Sequence, residues 1–139
     1  MRVRAALVAV VTLAAIAGSA GAQNPPAAQT AASPLKRTVL QTKALATVPG
    51  HDGITVLAEL AVGGTAPRHT HPGEELVYVL DGTATFDMAG QPTISLRPGD
   101  AFFIPANTPH VAKNTGTVPV RLLSTYIIET GKPLAMPAP

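Results

Sequence analysis

The chain of 139 residues is long enough for one ordinary domain and too short for two. Its ten Lys and Arg against eight Asp and Glu give a formal charge of +2, and two of those bases, Arg2 and Arg4, sit in the first 22 residues with no acid beside them. The remainder is neutral and has no basic run, which excludes the counterion-release chemistry of nucleic-acid binding, while the lack of Cys excludes disulfides, thiolate nucleophiles and cysteine-held metals.

Residues 5–17 are an Ala/Val/Leu/Ile run broken by Thr12, and Gly18-Ser19-Ala20-Gly21-Ala22 closes it. A charged start, a short apolar stretch and a small-residue end make residues 1–22 a secretory signal peptide, with cleavage expected after Ala22. The apolar run is shorter than the roughly 20 residues of a spanning helix. The Ala-rich leader points to a bacterial periplasmic or secreted protein, with no stable membrane anchor after cleavage. Residues 23–35 hold Pro25, Pro26 and Pro34 and no charge, the composition of a flexible linker. Residues 36–130 are the expected folded domain. Residues 131–139 carry Pro133, Pro137 and Pro139 and read as a tail of the linker kind, lying on the surface.

Within the domain, short apolar stretches alternate with Gly and Pro punctuation every eight to ten residues, and no window sustains a helical period. The spacing predicts an all-β fold with strands at 54–62, 76–80, 83–88, 93–96, 101–104 and 118–128, closed as a sandwich or barrel. Asp81-Gly82 is the signature of a tight hairpin between two of them.

Three of the four His fall in two short segments. His69 and His71 are two apart, so on a strand both imidazoles face the same way. Glu75 follows a Pro72-Gly73 turn and shares the parity of Val77 and Val79; Glu74, one residue earlier, is the alternative ligand and is expected at the surface. A strand and a turn bring His110 to the same place. Three neutral imidazoles and one carboxylate suit Fe(II), Mn(II), Zn(II), Ni(II) or Cu(II) and leave coordination positions open. His51 reads as an exposed turn residue, Arg68 as surface and Tyr78 as outside the barrel. Phe102, Phe103 and Tyr126 are expected in the core, with Tyr126 also able to offer its hydroxyl to a ligand.

The first segment, G-x5-H-x-H-x3-E-x6-G from Gly63 to Gly82, resembles the first motif of the cupins. Gly99-x5-Pro105-x-Asn107-x2-His110-x3-Asn114 resembles the second, with Asn107 where the family has Gly. Asn is the non-Gly residue that best tolerates positive φ, so the turn is expected to survive. The resemblance implies a double-stranded β-helix, or jelly-roll barrel, with His69, His71, Glu75 and His110 as metal ligands. The chain resembles the quercetin-dioxygenase-like group of single-domain cupins, which implies a metal-dependent dioxygenase-like oxidoreductase, ahead of an isomerase, lyase or decarboxylase. It would act on a small organic molecule, with Glu75 as the catalytic base. The alternatives are a non-catalytic module binding a sugar or carboxylate, and a metal-sequestering or accessory protein. Small cupins often pair through the outer sheet, so a homodimer is the expected assembly.

Overall fold

A computed structural model describes residues 34–139. The leader and residues 23–33 of the linker lie outside the described residues. Ten strands follow in order: β1 (Leu35–Ala44), β2 (His51–Leu60), β3 (Thr65–Thr70), β4 (Glu74–Asp81), β5 (Ala84–Met88), β6 (Ile94–Leu96), β7 (Ala101–Ile104), β8 (His110–Asn114), β9 (Val120–Glu129) and β10 (Met136–Pro137). They form two antiparallel five-stranded sheets, ordered β1-β2-β9-β4-β7 and β10-β3-β8-β5-β6. The all-β jelly roll is therefore the observed architecture.

Strict alternation builds the core. In β9, Val120, Leu122, Ser124, Tyr126 and Ile128 are buried while the odd-numbered residues between them are not, and in β4 the buried set is Glu75, Val77 and Val79. Facing sheets bury Ala58, Leu60, Val77, Val79, Val120 and Leu122 against Ala66, Ala84, Phe86, Met88, Leu96 and Ala112. A second cluster of Val56, Tyr126 and Ile128, with Ile54 and Leu134 against it, supports one end of the sandwich. The apolar stretches thus divide into an inward row that forms the core and an outward row that does not.

Three local expectations change. Asp81-Gly82 is not a hairpin: β4 belongs to one sheet and β5 to the other, so this turn carries the chain across the sandwich. Gly82 has φ +76°, and a Cβ there would lie 2.7 Å from the Pro119 carbonyl oxygen, so both conformation and close approach require glycine. Phe103 is 51% exposed rather than in the core; it pairs with Leu76 on the outer face of the first sheet. Phe102 does pack against the core, its ring 5.5 Å from that of Phe86. Residues 131–139 do more than lie on the surface, because Met136 and Pro137 pair with Thr70 and His69 and add a strand to the second sheet.

The second motif ends on Asn114, which is buried and structural. Its amide donates to the carbonyls of Leu60, Ala61 and Val118, and its Oδ1 accepts from the Gly116 amide, tying three chain segments together below the site. Asn107 takes φ 58°, the left-handed conformation expected of a Gly substitute at that turn.

Candidate metal centre

Two cross-strand pairs place the chemistry. His69 of β3 stands opposite His110 of β8 in one sheet, and Glu75 of β4 stands opposite Tyr126 of β9 in the other. His71 lies one residue beyond β3, in the loop that the Asn107 amide holds through the His71 carbonyl at 2.8 Å. One nitrogen from each of His69, His71 and His110 lies within 4.8 Å of the others, a spacing at which all three can share one ion.

The backbone sets the ring orientations. Carbonyl oxygens accept and cannot donate, so the nitrogen facing one must carry the proton. The Nδ1 of His69 donates to the Pro67 carbonyl at 2.6 Å and that of His110 to the Thr108 carbonyl at 2.9 Å, each two residues back along its own chain. His71 has no such neighbour and instead donates to the Leu134 carbonyl of the C-terminal segment at 2.5 Å. All three rings therefore present an unprotonated Nε2.

Glu75 faces these lone pairs. Its Oε2 lies 3.0 Å from His71 Nε2 and 3.7 Å from His110 Nε2, and its Oε1 accepts the Tyr126 hydroxyl at 2.8 Å. Close as it is to the carboxylate, His71 Nε2 is buried without a hydrogen-bond partner. A buried lone pair beside a carboxylate oxygen is costly unless a cation lies between them. The residues thus fit a divalent metal, and the fit rests on that orphaned nitrogen and on the mixed imidazole and carboxylate donor set.

Charge follows burial. Desolvation, then the neighbouring His110, lowers the His69 pKa from 6.5 to about 4, and desolvation also lowers that of His110. Burial pushes the Glu75 carboxyl up, but His71, Ser124 and Tyr126 outweigh it and hold the group below the usual carboxylate range. Tyr126 is driven well above the ordinary phenol range by burial and by the Glu75 charge. Burial thus disfavours the charged forms of His69 and His110, while Glu75 is held as a carboxylate and Tyr126 as a phenol.

A pH prediction follows for metal-free protein. The unfolded chain protonates His69 near 6.5 while the folded chain resists until about 4, so the unfolded state binds more protons between those values. Stability is therefore expected to be intact above about pH 6.5 and to fall as pH drops through that window. Urea midpoints along a pH series check this, and His69→Gln should flatten the slope.

Two cavities meet at the site. The inner one, about 30 Å³, is lined by His69, Glu75, His110, Ser124 and Tyr126 together with core residues such as Leu60 and Phe86. The outer one, about 210 Å³, lies between Pro67, Arg68, His69 and the C-terminal Ala135, Met136 and Pro137. Arg37 and His69 line both.

The structure groups His69, His71 and His110, sets Glu75 against two of them and Tyr126 against Glu75, and leaves Glu74, His51 and Tyr78 apart. Glu74 starts β4 half-buried, paired in register with Ile127 and outside the cluster. His51 opens β2, also half-buried rather than in an exposed turn, opposite Glu129 and outside the three-His group. Tyr78 is exposed as expected. Arg68 is exposed but lines the outer cavity and donates to the Pro139 carbonyl at 2.6 Å. The sequence did not reveal the Leu134 carbonyl, which has no side-chain signature, or Arg37 and Ser124, which lie outside both motifs.

The tail carries a second prediction. Because it supplies the acceptor that fixes His71, deleting residues 133–139 is expected to weaken divalent-metal affinity by about 10- to 100-fold, the usual cost of losing the partner of a ligating imidazole. Calorimetric titration with Mn(II) measures it, and far-UV circular dichroism verifies that the sandwich persists.

Comparison with known proteins matches residues 56–126 to the family model described as Cupin domain. Over 47 residues the chain is 45% identical to dimethylsulfoniopropionate lyase DddQ of Ruegeria pomeroyi, an alignment covering 34% of this chain and 23% of that protein. It is 34% identical over 77 residues to Germin-like protein 1 of Brassica napus, covering 52% of this chain and 37% of the relative. The chain therefore spans well under half the length of these two relatives. The DddQ crystal structure superposes with a TM-score of 0.57 at 29% identity, covering 62% of this chain and 43% of DddQ. A Klebsiella pneumoniae protein with a double-stranded beta-helix domain superposes with a TM-score of 0.60 at 19% identity, covering 76% of this chain and 85% of that one, a likeness of fold alone.

Proposed function

The chain belongs to the cupin domain family, and from that premise we propose that it is an exported metalloprotein holding one divalent ion at His69, His71, Glu75 and His110. We read it as a dioxygenase-like oxidoreductase acting on a small organic molecule. The observation that carries the reading is the convergence of three unprotonated imidazole nitrogens on a buried carboxylate, one of them without a hydrogen-bond partner.

When bound, an ion of the Fe(II), Mn(II), Zn(II), Ni(II) or Cu(II) kind supplies Lewis acidity and, for the redox-active members, electron transfer. The protein does the rest. Glu75 is kept ionised, so on detaching from the ion its carboxylate would take a proton from a substrate whose reacting end reaches the inner cavity. Tyr126 keeps its own proton and, by donating to Oε1, fixes which carboxylate oxygen faces the imidazoles. Leu60, Phe86 and Leu122 wall the inner cavity and limit water at the reacting end. The larger outer cavity accommodates the bulk of the molecule.

A second reading, lyase chemistry by proton abstraction, is favoured by the buried Tyr126 and Glu75 pair and by the similarity to DMSP lyase over 47 residues. Oxygen uptake and product formation by metal-loaded protein, screened over phenolics, β-diketones and uronates, separate the readings. Oxygen consumed in proportion to product supports the oxidoreductase, and equal turnover without oxygen supports the lyase. A thermal shift without turnover in any sample supports a binding module and contradicts both.

A further inference from the structure

We propose that Arg37 makes the mouth of this site a receptor for the carboxylate of a small organic acid, whose other end reaches the imidazole cluster. Arg37 lies in β1 opposite Ala58, a core residue, so register turns its side chain toward the interior of the sandwich rather than the outer face. Leu35, two residues earlier and opposite Leu60, packs against the core on that same face.

Position and charge then combine. Arg37 lines both cavities, so its guanidinium stands where the outer space opens onto His69 and the inner one. Its charge makes a minor downward contribution at His69, His110 and Tyr126, though burial and Glu75 raise Tyr126 overall, which places it within electrostatic reach of the cluster. Among the described residues its guanidinium has no hydrogen-bond or ion-pair partner, whereas Arg121 is held by Asp81 and Glu59, and Arg68 by the Pro139 carbonyl. Glu75 is the one acid lining either cavity, and it is already engaged by Tyr126 and His71. An unpaired guanidinium at the entrance, with Arg68 lining the same outer cavity and no unengaged acidic side chain lining either cavity, selects for a negative group. The planar fork of Arg binds carboxylate in two parallel hydrogen bonds, which also fixes the direction in which the molecule enters.

The outer cavity, about 210 Å³, sets the size class as a small acid rather than a polymer. The inference rests on the proposed metal centre for the position of the reacting end, but not for the recognition of the carboxylate.

Calorimetric titration with malonate, and with its neutral counterpart malonamide, tests it on wild type, Arg37→Gln, Arg37→Lys and Arg68→Gln. Malonate affinity is expected to fall at least about tenfold in Arg37→Gln, with partial retention in Arg37→Lys, and to change less than about threefold in Arg68→Gln. Malonamide should bind wild type and Arg37→Gln alike. Arg37 is exposed on an edge strand, so folding is expected to be unaffected, and thermal melts verify this. Malonate binding to Arg37→Gln within twofold of wild type, or equal losses of malonate and malonamide, would overturn the proposal. Mn(II) titration of the same proteins keeps the two readings apart. Failure of all of them to bind Mn(II) counts against the metal centre, while the malonate comparison on metal-free protein still decides the role of Arg37.

Discussion

His71→Ala is expected to reduce divalent-metal affinity by more than about 100-fold, the largest loss from any single ligand. His71 is 1% exposed and fixed by a backbone carbonyl from a distant segment, so its ring is held in place rather than free to swing. Its Nε2 is also the ring nitrogen closest to Glu75, at 3.0 Å against 3.7 Å for His110, so its removal takes away the main group opposite the carboxylate. Mn(II) calorimetry measures the affinity, and His51→Ala, at the start of β2 and outside the cluster, serves as the control expected to bind as wild type does. An affinity within threefold of wild type would remove His71 from the site.

Gly73→Ala is expected to cost about 3 kcal/mol or more of stability, well above an ordinary surface substitution. A Cβ on Gly73 would stand 1.8 Å from the Ile127 carbonyl oxygen and 3.0 Å from the Ile128 Cα, both backbone atoms of β9 that cannot move without disturbing the sheet. The strain would fall where it matters for function, because Gly73 connects His71 to Glu75 and Ile127 lies one residue beyond Tyr126. Urea denaturation measures the lost stability, and the variant should also bind Mn(II) more weakly than wild type. Gly90→Ala is the contrasting case. It has φ +76° but open space around its Cβ, so it incurs conformational strain without collision and is expected to cost about 1 kcal/mol.

Much of the site was legible because its geometry repeats a local rule. Strand parity distinguished Glu75 from Glu74, and the structure buries the former in line with Val77 and Val79 while leaving the latter at the strand's start. The His69 and His71 spacing placed two rings on one side, although His71 stands just past the end of β3 and is held by the loop and the tail rather than by the ladder. Asn107 kept the turn that a glycine would make.

What was not legible depends on partners distant in sequence. β1 carries exposed residues nearly throughout, Val39 and Leu40 included, so an edge strand left no alternation of apolar and polar side chains to find. Its contribution to the site, Arg37, is a register effect set by pairing with β2. The Asp81-Gly82 turn has the composition of a hairpin, yet the jelly roll uses the same residues to change sheets, and nothing local distinguishes the two. The tail, rich in proline, looked unable to bury surface. It pairs through two residues at the edge of a sheet, where a missing amide is tolerated, and acts through a carbonyl that every residue possesses.

The central claim is that His69, His71, Glu75 and His110 hold one divalent ion. Element analysis of the protein after loading with each of the five candidate ions and exhaustive buffer exchange tests it most directly. One tightly held ion per chain for at least one metal, lost in His71→Ala and in His110→Ala but retained in His51→Ala, is the predicted result. Less than about a tenth of an equivalent for every metal, or equal retention by wild type and both ligand variants, would contradict it.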